Sequence, residues 1–249
     1  MAISGKARLK LIEYAERYET AEFLQGDPSW FMHQVNGKDN REAMAFLASC
    51  LSFGNRSQFM PKIQLLYKWS GGRVADWIRT GKFADHLPLN STKCFYRLFR
   101  TDKMHTFLQV YRKMLNEYES IGNYVNCTSV DARSAIESIC HYFSLHGVSV
   151  IVPKNTQSAC KRVCLFLRWM VRSNSPVDLG LWADFIDRRT LIMPLDTHVL
   201  RQSRNFGLIE GCSTTMSMAQ KLTAALTEVF PEDPLKGDFA LFGYGVNKK

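Results

Sequence analysis

The sequence predicts an all-α protein, and three observations carry that prediction. Apolar residues return at helical spacing in about ten separate stretches. Between those stretches stand the residues that start and stop helices: Ser, Asp and Asn as caps, Gly and Pro as breakers. Only Val148-Ser-Val-Ile-Val152 reads as β-like, and one strand cannot make a sheet, so it is expected to be an extended connection into Pro153.

The elements follow in order. Lys6 to Leu24 places Leu9, Ile12, Ala15, Tyr18 and Ala21 near a 3.6 period, and Gly26-Asp27-Pro28 breaks it, with Asp27 capping a short turn at Trp30 and Phe31. Arg41 to Ser52 is a small-residue helix whose Ala43, Ala45, Ala48 and Ser49 let another helix approach closely. Phe53-Gly54-Asn55-Arg56 reads as a stop and tight turn before a second helix, Gln58 to Trp69; Asn55 is exposed there for binding or serves as a C-terminal cap. Arg73 to Arg79 gives a short helix, Ser91 is a candidate cap for a helix over Cys94 to Phe99, and Asp102 for one over Lys103 to Tyr118. Asp131 caps a helix to about Ser144. Short turns are expected at 178–182 and 185–188. The last helices run from Asp196 to Phe206, from Ser213 or Thr214 to Phe230, and around Asp238 to Tyr244.

With 249 residues, 46% hydrophobic and 22% charged, the chain is long enough for a sizeable core and is not a disordered polyelectrolyte. No linker separates independent domains. The expectation is one compact unit of two lobes around a cleft, residues 1–60 with 205–249 and residues 61–204. The net charge of +9 points to a polyanion as partner, most simply nucleic acid. Residues 60–113 concentrate it, with eleven Lys or Arg against three Asp. Seven cysteines without a C-x-x-C pair argue against a disulfide scaffold or a four-cysteine metal site. Residues 1–24 hold no continuous apolar stretch, and Arg168 interrupts the best candidate membrane span, so a cytoplasmic protein without membrane contact is expected.

One stretch carries chemistry. Ser158 to Arg172 is an amphipathic run with Lys161 near its head, and Met193-Pro-Leu-Asp-Thr-His-Val-Leu-Arg201 places Asp196 where a new helix starts. An amine and a carboxylate each held at a helix N-terminus can form a catalytic pair. Attack by the amine needs its neutral form, which burial and the positive end of a helix favour. Taken singly, Lys161 also reads as a solvated lysine and Asp196 as a simple N-cap.

A polar hairpin, a helix with an early Lys161, then Pro194-Leu-Asp196-Thr-His198 opening the next helix resembles the helix-hairpin-helix DNA glycosylases, most of all the archaeal 8-oxoguanine branch. The alanine-rich helix ending in Ser52-Phe-Gly-Asn55 matches where that superfamily has a polar turn facing DNA. The resemblance implies a monomeric base-excision enzyme acting on double-stranded DNA with a damaged base, such as 8-oxoguanine. Lys161 would be the nucleophile that forms a Schiff base and cleaves the strand as an AP lyase, and Asp196 the carboxylate that stabilises the charged sugar. Asn55, Asp238 and Phe242 would form the pocket for the flipped base, and Trp182, between two short turns, either lines the same cleft or belongs to the core. Asn155, Arg162, His198, Arg201 and Arg56 would contact DNA. Pro153 to Cys160 contains no glycine, so Asn155 is the expected left-handed position of the hairpin. The iron–sulfur cysteines of the endonuclease III branch are absent, and no cofactor or metal is expected. Two alternatives stand beside this: an inactive DNA-binding protein of the same fold, and a helical protein-interaction module.

Overall fold

The structure, a computed structural model, describes residues 3–246. Its helices are α1 (Gly5–Tyr18), α2 (Trp30–His33), α3 (Lys38–Leu51), α4 (Arg56–Ser70), α5 (Val74–Arg79), α6 (Thr101–Tyr118), α7 (Ile121–Thr128), α8 (Ala132–Leu145), α9 (Lys161–Val171), α10 (Thr197–Asn205), α11 (Met216–Thr227) and α12 (Lys236–Val246). Among the described residues, two short strands, β1 (Cys94–Tyr96) and β2 (Phe99–Arg100), pair antiparallel. The all-α expectation therefore holds as a class, with one hairpin added. No helix among the described residues is long and apolar enough to cross a membrane.

The chain divides into two compact units, and the boundary crosses α8. One comprises Met1–Gln25, Asp131–Ile136 and Thr156–Lys249; the other comprises Gly26–Val130 and Glu137–Asn155. These are not the lobe boundaries expected from sequence. Residues 26–60 group with the basic helices because α3 packs on α2, α4 and α5, whereas 156–204 groups with the termini because α12 packs on both α1 and α10.

In the unit built on residues 26–130, Phe46 of α3 packs against Phe107 and Tyr111 of α6 and Phe143 of α8. The small residues of α3 allow this close approach, and all of its residues from Glu42 to Leu51 are buried. Glu42 is the charged member. Its two carboxylate oxygens accept the N–H groups of Ile121 (2.7 Å) and Gly122 (3.1 Å), the first residues of α7. A buried anion thus meets the positive end of a helix whose cap, Ser120, takes the Asn123 N–H.

The helix expected over Cys94 to Phe99 is instead the β1–β2 hairpin. Arg97 at its tip adopts a left-handed φ of 49°, which reverses the chain, and Tyr96 and Phe99 close on Phe53 at 5.0 and 4.9 Å between ring centres. Asp102 lies in the first turn of α6 and pairs with Arg100, which takes the cap position. Asp27 accepts from the backbone and hydroxyl of Ser29, the residue before α2. The run from Val148 to Val152 is not extended throughout. It closes into turns with Val148, Ile151 and Val152 buried.

In the other unit, α9 is buried from Val163 to Val171, including Arg168. Trp182 packs edge-on against Phe166, and Phe239 of α12 meets Phe23. At the start of α8, the Asp131 carboxylate accepts the Ser134 N–H at 2.8 Å while the Ser134 hydroxyl takes the Asp131 N–H at 3.1 Å. This reciprocal cap is the one the sequence predicts at Asp131.

Candidate active site

Lys161 is the first residue of α9, and the backbone before it is fixed from two sides. Ala159 N–H donates to Thr214 at 3.0 Å, Ser158 bridges Thr215, and Cys160 takes a left-handed φ of 46°. The left-handed position of this segment is therefore Cys160; Asn155 is exposed and has no positive φ. Asp196 follows the buried run Met193-Pro-Leu195 and caps α10, its Oδ1 accepting the N–H groups of His198 and Val199, both at 2.9 Å. Its Oδ2 lies 3.5 Å from Lys161 Nζ. The two side chains are 28% and 30% exposed, so the pair is reachable yet partly shielded from water. One carboxylate oxygen orients the group by capping, and the other faces the amine.

Behind the pair lies a buried ionic cluster. Arg168, two turns after Lys161 on α9, contacts Asp238 of α12 and sits 3.3 Å from Asp178. Arg172 contacts Asp178 and reaches Glu19 at 2.7 Å and Asp233 at 2.8 Å. Burial works against the Arg172 charge, but Asp178, Asp233 and Glu19 outweigh it and hold the guanidinium protonated. Both guanidinium groups lie over the Phe239 ring, at 4.5 and 5.2 Å. Burial pushes the Asp238 carboxyl up against the pull of Arg168; the Asp196 charge adds to the rise and Lys161 opposes it. Asp238 is thus within electrostatic reach of the pair, but its partner is Arg168, and its side chain is enclosed. Sequence reading missed this cluster, although a lone arginine inside the apolar face of α9 was its signal.

The other expected pocket residues in this unit divide. Trp182 is fully buried, its backbone N–H bonded to Met170 O at 2.7 Å, so it belongs to the core and does not line a cleft. Phe242 is half-buried, set edge-on to Phe23 and to His198. His198 does not present its ring outward to a phosphate. Nε2 is buried against Gly245 of α12 with no hydrogen-bond partner among the described residues, and Nδ1 is 3.3 Å from Arg201. Only glycine at 245 leaves room for the imidazole. Arg201 is exposed and Arg162 half-buried.

Asn55 and Arg56 belong to the other unit. Asn55 is the N-cap of α4, accepting from the Ser57 backbone at 2.9 Å and hydroxyl at 2.8 Å, and not the end of α3. Arg56 pairs with Asp27 at 3.3 Å. The β1–β2 hairpin buttresses this turn. Tyr96 Oη donates to Phe53 O, the Arg97 guanidinium lies 5.7 Å from the Phe53 ring centre, and a Cβ on Gly54, at φ +80°, would run into both side chains. Leu98 at the hairpin tip is 75% exposed between Arg97 and Arg100. Sequence reading did not single out this hairpin.

Compared with known families, residues 27–247 match the model described as "Protein of unknown function (DUF2400)". No curated protein matches, and no solved structure does.

Proposed function

We propose, for a chain that belongs to the DUF2400 family, a DNA glycosylase with strand-cleaving activity that removes a damaged base such as 8-oxoguanine. The observation that carries this reading is the Lys161–Asp196 pair, an amine and a carboxylate 3.5 Å apart at the heads of two helices. Asp196 accepts a proton from Lys161, and the neutral amine attacks the sugar carbon C1′. The N-glycosidic bond breaks, and the base leaves with the electron pair and takes up a proton. That proton comes from Asp196, so the regenerated carboxylate opposes the positive charge that grows on the sugar as this bond lengthens. Opening of the sugar gives a Schiff base on Lys161; loss of a C2′ proton then expels the 3′ phosphate and cuts the strand.

Two features of the other unit support a DNA partner. Residues 60–113 carry the basic excess, which suits a polyphosphate. The buttressed hairpin offers an exposed leucine between arginines, the chemistry of a side chain that wedges between base steps. A second reading is favoured by the same ion pair: Lys161 and Asp196 serve as a structural tie between α9 and α10 in a DNA-binding protein without activity. Borohydride reduction in the presence of duplexes carrying 8-oxoguanine or an abasic site separates the two. Wild-type protein is expected to be trapped as a covalent adduct and Lys161→Ala is not. Failure to trap across a panel of lesions leaves the reading without activity, and equal trapping by Lys161→Ala removes Lys161 as the nucleophile.

A further inference from the structure

An open cleft of about 510 Å³ lies among α1, the end of α10 and α12, away from the residues assigned to the Lys161 chemistry. Lys6 and Lys10, one turn apart on α1, form one wall together with Ser4. Asn205, Phe206 and Tyr244 form the other. Among the described residues no acidic side chain lines it. Neither lysine has an ion-pair partner among the described residues. The aromatic wall is a packed cluster: Tyr244 stacks on Tyr14 with 4.5 Å between ring centres, and Phe206 stands edge-on to both. The Asn205 amide nitrogen is engaged by Gln202, which leaves its carbonyl oxygen as an acceptor. α1 lies outside the segment that matches the family, so the basic wall is not part of that match.

Two unneutralised ammonium groups one helical turn apart suit a dianionic group better than a single charge. Facing them are a hydrogen-bond acceptor and two half-buried rings against which a planar group can lie, in a cleft within the size range of small-ligand sites. We infer that this cleft binds a nucleotide bearing a terminal phosphate, either free or at the end of a DNA strand. Lys6 and Lys10 hold the phosphate, and Phe206 and Tyr244 border the base. The inference stands on the cleft alone and does not require Lys161 to be a nucleophile.

The test uses the full chain and short single-stranded oligonucleotides, labelled at the 3′ end, that differ only in a 5′ phosphate or a 5′ hydroxyl. Fluorescence anisotropy is expected to show about tenfold tighter binding of the phosphorylated strand, the scale of a charge-assisted contact. Lys6→Glu with Lys10→Glu, both exposed positions, is expected to abolish that preference without changing the melting temperature. Displacement of the labelled strand by dTMP identifies the free nucleotide as a ligand. A phosphate preference that dTMP does not disturb assigns the site to strand ends. Equal affinity for the two strands without dTMP binding overturns the inference, as does a double variant that keeps the preference. Inorganic phosphate competing as well as dTMP also overturns it, because the rings then contribute nothing. Lys161→Ala is expected to keep the phosphate preference, so failure of the trapping experiment and failure of this one are separable.

Discussion

Asp196 has two roles that one atom separates. Oδ1 caps α10, and Oδ2 faces Lys161. Asp196→Asn keeps an oxygen for the cap and removes the charge, so its melting curve is expected to stay near wild type while borohydride trapping falls sharply. Asp196→Ala loses the cap as well and is expected to cost about 1 kcal/mol of stability. Chemical denaturation of both variants beside the trapping assay checks this; equal stability of the two variants would contradict the capping role. Asp131 offers a case without chemistry. Its hydrogen bond from the Ser134 hydroxyl and the Ser134 backbone N–H hold the carboxyl below its usual range. A lowered folded-state value means that the contribution is present above the unfolded value and is lost as pH falls through the folded one. Asp131→Ala is therefore expected to cost about 1 kcal/mol at neutral pH, and urea melts should show the difference shrinking only below roughly pH 4.

At the scale of elements, the buried carboxylate of Glu42 fixes α7 to α3. Glu42→Ala leaves the N–H groups of Ile121 and Gly122 buried without acceptors, and a cavity besides. A loss of about 3 kcal/mol is expected, with early hydrogen exchange across Ile121–Thr128. A loss under about 0.5 kcal/mol would mean that water replaces the carboxylate at little cost. Neither α7 nor its Glu42 anchor was read from the sequence, because Ile121 to Thr128 is short and its partner lies 79 residues away. Longer elements were legible. The starts of α8 and α10 were read at Asp131 and Asp196, since a cap and the helix behind it lie within four residues of each other. The Cys94 to Phe99 segment was misread as helix for the opposite reason. Its aromatics at 95, 96 and 99 suit a helix face equally well, and contact with Phe53 decides for a hairpin.

For the whole molecule, charge is the property most open to measurement. With +9 overall and the excess between residues 60 and 113, binding to duplex DNA is expected to weaken linearly on a log–log salt plot. Replacing Lys93 and Arg97 by Glu should lower the slope by roughly 0.9 for each phosphate that the variant no longer neutralises. An unchanged slope would place the DNA interface elsewhere. The sequence by itself determined the helical class, the basic excess, the caps at Asp131 and Asp196, and the positions of Lys161 and Asp196 at two helix heads. Each of these depends on composition or on residues within one helical turn. Only the tertiary structure decided that the Lys161 amine and the Asp196 carboxylate meet, that Asp238 is bound to Arg168, that His198 turns toward Gly245, and that Trp182 is core. These are contacts between residues 35 to 70 positions apart, or burial that no local pattern encodes. A sequence names the groups; the packing of helices chooses which of them touch.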